Sequence, residues 1–428
     1  MDARRRERLA SYARGAARRF FVGARRLFTA EPDAEATAAE AEAAAAEELA
    51  RTAKELRGGM AKMAQLMAYL RGPGAAGDDE ARRALGVLWD RAPGVEPAAI
   101  RRVVDEDLGG PPETIFATWD DTPMAAASLG QVHAATSREG ARLAVKVQYP
   151  GVAEGLRSDL ESPRLLRALA GGEVGASLSP EAAARLRDAV LAELDYVAEG
   201  KWLERFRKAF LGTRDVVIPR LHPSLSSGRV LSADRVDGRS LLAFAAEAGT
   251  SPGERARVAL ALFRFAWGGP LRHGLLNADP NPGNYLVLDD GRTAFLDFGC
   301  AIELDAETVE FDRKLWRAVL ERDGESLRYA VHREGLLGRA RTLDSSTFRE
   351  WERYLAGPFL SQGPFHFTAR YARRWAELHS QLVRAGGIVL PPQAILLWRQ
   401  RLGVAAVIGE LDATADFAGE LATVLDGA

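Results

Sequence analysis

Within one short stretch, residues 275–299, of this 428-residue chain, the spacing of Asp279, Asn284 and Asp297 is one that could do chemistry. Asp279 and Asn284 are separated by four residues, and Asp297 opens the tripeptide Asp297-Phe298-Gly299. The apolar runs 285–288 and 293–296 have strand length. The polar turn Asp289-Asp290-Gly291-Arg292 between them predicts a hairpin. Such a hairpin carries Asp297 back to the level of Asn284, so that two carboxylates and an amide converge. Mg2+ takes hard oxygen ligands at sites that leave room for phosphate oxygens, and the chemistry implied is handling of a phosphoryl group. A lone Asp-Phe-Gly is also an ordinary strand end. The Asp-x4-Asn spacing upstream and the hairpin pattern between are what favour a site.

Other elements must position phosphates against these oxygens. Residues 129–134 and 143–148 predict two strands joined by a polar turn at 137–140, with Lys146 inside the alternating pattern of the second. Before them lies the small-residue run Ala125-Ala126-Ala127-Ser128, which would let backbone approach phosphates closely. A tight hairpin and an edge-strand lysine explain the same residues without chemistry. Further upstream, 97–108 predicts a helix that stops at Gly109-Gly110-Pro111-Pro112, and 114–119 alternates like a short strand. Pro180 opens a predicted helix to about residue 207. It carries Glu193, Asp195 and Glu199, of which Glu199 is placed in chain order to pair with Lys146; solvated helix acids are the alternative for each. Residues 216–218 and 229–231 read as short strands, and 232–238 as a hinge in which Asp234 and Val236 are candidate nucleotide contacts. From Arg239 onward the pattern is mostly helical, with Trp and Leu positions read as core.

Composition bounds the setting. A net charge of −2 gives no overall basic field, so nucleic acid is not an expected partner. The one cysteine, Cys300, permits no internal disulfide and fits a reducing, cytoplasmic compartment. No uncharged apolar run reaches the ~18 residues of a transmembrane helix. Residues 1–28 are arginine-rich, with Leu9, Tyr12, Ala16, Phe20 and Leu27 on one helical face. That pattern suits peripheral contact with an anionic membrane, a helix packed on the protein, or a frayed tail. Residues 31–48 form an Ala/Glu spacer. In 54–70, Leu56, Met60, Met63, Met67 and Leu70 share a helical face, and Lys62 and Gln65 share another. Periodicity alone makes this an amphipathic helix with a methionine core.

The order of these features is that of a protein kinase: small-residue loop, strand lysine, acidic helix, Asp-x4-Asn, Asp-Phe-Gly. Together they resemble the UbiB/AarF/ADCK family of atypical kinases over about residues 56–299. Lys62-Met63-Ala64-Gln65 is similar to that family's Lys-x-Gly-Gln motif, with Ala64 in place of the usual glycine. The alanine run followed by Gln131-Val132-His133, the Glu193-Leu194-Asp195 segment, Glu199, and 277–284 (Asn-Ala-Asp-Pro-Asn-Pro-Gly-Asn) match the rest. The resemblance implies an α+β, bilobed protein-kinase-like fold. Its expected parts are 1–50 (basic segment and spacer), 51–112 (helical extension), 113–236 (β-rich N-lobe) and 237–428 (helical C-lobe). It implies ATP and Mg2+ as cofactors. Asn284 and Asp297 would hold the metal, Lys146 paired with Glu199 would hold the phosphates, and Asp279 would orient water or an acceptor hydroxyl. Lys62, Gln65, Glu193 and Asp195 would face the active site and favour ATPase or small-molecule chemistry over a protein substrate. An isoprenoid or quinone-like lipid is the implied partner class. An antibiotic-type small-molecule phosphotransferase and a non-catalytic nucleotide-binding scaffold remain open beside this.

Overall fold

The computed structural model describes residues 96–127, 129–154, 157, 191–322, 346–361, 363–384 and 392–427. Ser128, Lys62, Gln65 and the basic segment 1–28 therefore lie outside the described residues. The chain divides into two compact units, one holding 96–196 and 224–232 of the described residues, the other 197–223 and 233–427.

The first unit opens with α1 (Pro97–Leu108), as its periodicity predicts. Proline suits the first helical turn, and Ile100, Val103 and Val104 bury one stripe against the sheet. The strand expected at 114–119 is overturned. Residues Pro112–Ile115 form a single helical turn, α2, and pairing begins only at β1 (Thr118–Ala127). Pro111 and Pro112 fix φ for a helical start, Thr114 Oγ1 donates to the Pro111 carbonyl at 2.8 Å, and the Arg138 guanidinium donates to the Thr114 carbonyl at 3.0 Å. A short alternation does not outweigh those local bonds.

Strands β2 (Gly130–Thr136) and β3 (Arg142–Gln148) complete an antiparallel meander, and β5 (Val230–Asp234) closes a sheet of order β1-β2-β3-β5. Leu143, Val145 and Val147 alternate into the core with Ala135, Phe116 and Val230. On that face His133 is buried and stacks on Trp119 at 4.6 Å. It donates from Nδ1 to the Asp120 carbonyl and accepts at Nε2 from Gln131 Nε2, each at 2.8 Å. Burial lowers the imidazole pKa, which suits this neutral tautomer.

The helix predicted to run from residue 180 through 207 is interrupted. Glu193 and Leu194 form a turn, Asp195 is outside any helix, and α3 begins at Tyr196 and runs Tyr196–Ala209. The cause is competition for backbone groups. Leu194 O accepts from Gln148 Nε2 at 2.7 Å, and Tyr196 N donates to Gly228 O at 3.3 Å, so the chain bonds to the sheet region instead of continuing its own helical ladder.

The second unit is helical around small sheets. Strand β4 (Val216–Val217) pairs with β9 (Thr293–Phe295), β9 with β8 (Tyr285–Val287), and β8 with β6 (Arg239–Ser240). Strand β7 (Leu275–Asn277) pairs with β10 (Ala301–Glu303). Helices α4 (Leu241–Ala246), α5 (Pro252–Phe263), α6 (Gly269–His273), α7 (Ala306–Leu320), α8 (Ser346–Leu360), α9 (Ala369–Arg384), α10 (Pro392–Glu410) and α11 (Phe417–Asp426) pack an aromatic-rich core. Helix α10 is anchored there by Arg401, fully buried, which donates through both terminal nitrogens to Asp312 at 2.5 Å and lies over the Trp267 and Trp316 rings. Among the described residues no helix is long and apolar enough to cross a membrane.

Candidate functional site

The 275–299 stretch folds as its pattern predicts. Tyr285 pairs with Phe295, Leu286 with Ala294 and Val287 with Thr293. Gly291 takes φ 82° at the turn, a left-handed conformation that glycine adopts without steric cost. The Leu296 N–H donates to Asn284 O at 3.1 Å, which sets Asp297 one residue beyond the level of Asn284. Asn284 Nδ2 donates to Asp279 Oδ2 at 3.1 Å. Asn277 ties the two ends together: its Nδ2 donates to Asp297 O at 2.8 Å and its Oδ1 accepts from Asp279 N at 3.3 Å. Beyond it, Ala301 pairs with Asn277, and Ala278 N donates to Cys300 O at 3.1 Å. Asp279 is 4% exposed. Among the described residues its Oδ1 has no hydrogen-bond donor, and Arg399 Nη2 of α10 lies 3.9 Å away. Phe298 is fully buried, 5.0 Å from the Phe206 ring of α3.

These donors fit Mg2+. Asn284 spends its amide nitrogen on Asp279, which leaves the carbonyl oxygen, the atom a hard cation takes. Asp297 adds a carboxylate whose Oδ1 accepts from Gly299 N at 3.0 Å. Among the described residues no group of three or more His, Cys, Asp and Glu is gathered for a metal. With Asn284 and Asp297 as its ligands, a cation here would leave room for phosphate and water oxygens, as Mg2+ does in phosphoryl-transfer sites.

In the first unit, register places the remaining phosphate candidates. Ala125 pairs with Val132 and Val132 with Lys146, so Ala125 and Lys146 lie in one cross-strand row on the face opposite the core. Ala125, Ala126 and Ala127 belong to the end of β1 rather than to a loop. Lys146 Nζ stands 4.9 Å over the Tyr196 ring, and the Glu193–Asp195 segment is pinned beside β3 by Gln148. Glu193 is mostly buried. In the second unit, Glu199 is 3% exposed in the first turn of α3. Asp234 ends β5 with Oδ1 bonded to His222 Nε2 at 2.7 Å and its backbone N–H bonded to Arg220 O, so a nucleotide contact there falls to another atom. Val236 is half-buried.

Asn277, Gln148 and Arg399 are groups around these residues that the motif spacing does not single out. Asn277 sits two residues before Asp279, an Asx-turn spacing that could have flagged it. Arg399 lies in a helix 120 positions downstream of Asp279, with no local signal in the sequence.

An ABC1 atypical kinase-like domain matches residues 87–331. The chain belongs to the ABC1 atypical kinase-like family. An uncharacterized protein of Mycobacterium tuberculosis is 31% identical over 352 residues, covering 80% of this chain and 70% of its own length. The ABC1 relative named activity of bc1 complex kinase 7, chloroplastic, of Arabidopsis thaliana is 30% identical over 65% of this chain; the match spans only 40% of that protein. Among solved structures, the Mycobacterium tuberculosis protein described as the Rv3197–erythromycin complex superposes with a TM-score of 0.62 at 26% identity, over 80% of this chain and 85% of that one. The ABC1 family and the kinase-like α+β fold are those the motifs imply.

Proposed function

We propose that this ABC1 chain is an Mg2+-dependent ATPase or small-molecule phosphotransferase. The observation that carries it is that one buried asparagine, Asn277, ties the backbone of Asp297 to that of Asp279, whose carboxylate accepts from Asn284. Asn284 and Asp297 hold the cation, whose charge, when it is bound, offsets that of the phosphates. Asp279 orients the attacking oxygen of water or an acceptor hydroxyl. Lys146, in the kinase strand-lysine role and paired with Glu199, holds the phosphate oxygens beside the alanine run Ala125–Ser128. Lys62 and Gln65, with Glu193 and Asp195, restrict access to acceptors smaller than a protein, and Asp234 and Val236 contact the nucleotide. Phosphoryl transfer depends mainly on positioning and electrostatics, so these groups suffice.

The acceptor class is an isoprenoid or quinone-like lipid, reached at the membrane surface by a cytoplasmic protein through residues 1–28. A second reading is favoured by the structural neighbour, whose solved form is an erythromycin complex: a bulky antibiotic-like acceptor or effector. ATP hydrolysis by purified protein with Mg2+, with and without anionic liposomes or erythromycin, separates these. Turnover should fall at least 100-fold in Asp297→Asn and rise with the correct partner. Tight nucleotide binding without turnover under every condition would replace this reading with that of a nucleotide-binding scaffold.

A further inference from the structure

The buried carboxylate of Asp279 has a charge partner that the 275–299 segment does not supply. The segment's one basic residue, Arg292, is engaged at the hairpin turn, where its Nε donates to Asp290 at 2.7 Å. The cation comes from α10. Arg399 Nη2 stands 3.9 Å from Asp279 Oδ1, and its side chain is 14% exposed against 4% for that of Asp279.

Helix α10 is built to hold that position. Gly403 is one turn after Arg399 and on the same face. A Cβ there would lie 2.3 Å from Cγ of Pro280, the residue after Asp279. Leu397 is buried with Leu276 and Ala278 of the segment. Two positions past Arg399, Arg401 locks the helix to Asp312 of α7.

We propose that Arg399 is a positioning residue for Asp279, acting through its Oδ1; this rests on the reading of Asp279 given above. Oδ2 accepts from Asn284. Oδ1 faces a guanidinium that offsets its charge at a distance too long for a hydrogen bond, so its lone pairs stay open to a proton from the attacking hydroxyl or water. In the reaction the attacking water or hydroxyl oxygen forms its bond to the γ-phosphorus, the bond from that phosphorus to the β,γ-bridging oxygen breaks with ADP leaving, and the proton of the attacking oxygen passes to Asp279 Oδ1.

The test is ATP turnover, nucleotide affinity and thermal unfolding of the full chain as wild type, Arg399→Ala, Arg399→Lys, Asp279→Asn and the Arg399→Ala/Asp279→Asn double variant. Arg399→Ala should lower kcat roughly 100-fold while KM and Kd for MgATP change less than about twofold. Arg399→Lys, or guanidinium added to Arg399→Ala, should restore part of kcat. Wild-type kcat in Arg399→Ala overturns the proposal, as does equal loss of kcat and nucleotide affinity with no rescue. If the wild type does not hydrolyse ATP, the proposed function fails and the pairing is judged by unfolding. The Tm shifts of the two single variants should then depart from additivity in the double by about 3 °C or more, and additive shifts overturn it.

Discussion

Asn277 shows how one side chain can set a site without touching a ligand. Its amide satisfies the carbonyl of Asp297 and its oxygen satisfies the N–H of Asp279, so the carboxylate expected to orient an acceptor and the one expected to hold a cation share a strut 3% exposed. A second buried polar residue carries a consequence for pH. His379 of α9 stacks on Trp398 at 5.1 Å, its Nδ1 has no hydrogen-bond partner among the described residues, and burial holds its pKa down to about 4. The native protein keeps this imidazole neutral, while the unfolded chain takes up a proton near the ordinary value of ~6.5. Between those values the unfolded state binds more protons, so stability is full above about 6.5 and is lost as pH falls towards 4. The difference is roughly 3 kcal/mol for this one group. Urea unfolding at pH 7 and pH 4.5 should show that loss in the wild type and much less of it in His379→Phe, which keeps the stacking and cannot be protonated.

At the scale of elements, the contact between α10 and the 275–299 segment decides how accurately Asp279 is placed. Gly403 lets the helix approach Pro280, and the pyrrolidine ring has no rotamer by which to move aside. Gly403→Ala would gain up to ~1 kcal/mol of helix propensity at an exposed helical site. Here overpacking should outweigh it, for a net loss of about 1–3 kcal/mol, and displacing Pro280 should lower kcat more than nucleotide affinity. Guanidinium unfolding beside steady-state kinetics checks both; a more stable, fully active variant would show that α10 yields instead. The hairpin 285–295 was legible in the sequence because strand length, Gly291 and the polar turn all agreed. The break at 193–195 was not. No proline or turn signal marks it, and the bonds that stop the helix come from Gln148 and Gly228, distant in sequence. The α2 turn runs against the six-residue alternation at 114–119 because two consecutive prolines, Pro111 and Pro112, start a helical turn there. Arg399 was invisible for the first of these reasons: its partner is made by packing.

For the molecule as a whole, the order of motifs implied the kinase-like family and fold, because each motif carries its own local signal and their sequence is hard to meet by chance. The two described units each have a separate core, one of aliphatic strand residues around Val145, the other of stacked aromatics around Phe265 and Trp316. The second unit contains both proposed metal ligands, and this makes ligand linkage a test that needs no acceptor and no turnover. A ligand that binds only the native state stabilises it by about 2.7 kcal/mol at 100 times its Kd. Saturating MgATP should therefore raise the Tm of the wild type by several degrees, and EDTA should remove the part that depends on the cation. In Asp297→Asn, the metal-dependent part should vanish while any shift from nucleotide alone persists. In Lys146→Met the nucleotide-alone part should shrink instead. Equal Mg2+-dependent shifts in wild type and Asp297→Asn would mean that the cation is held elsewhere, and the assignment of Asn284 and Asp297 would fall even if ATP were hydrolysed.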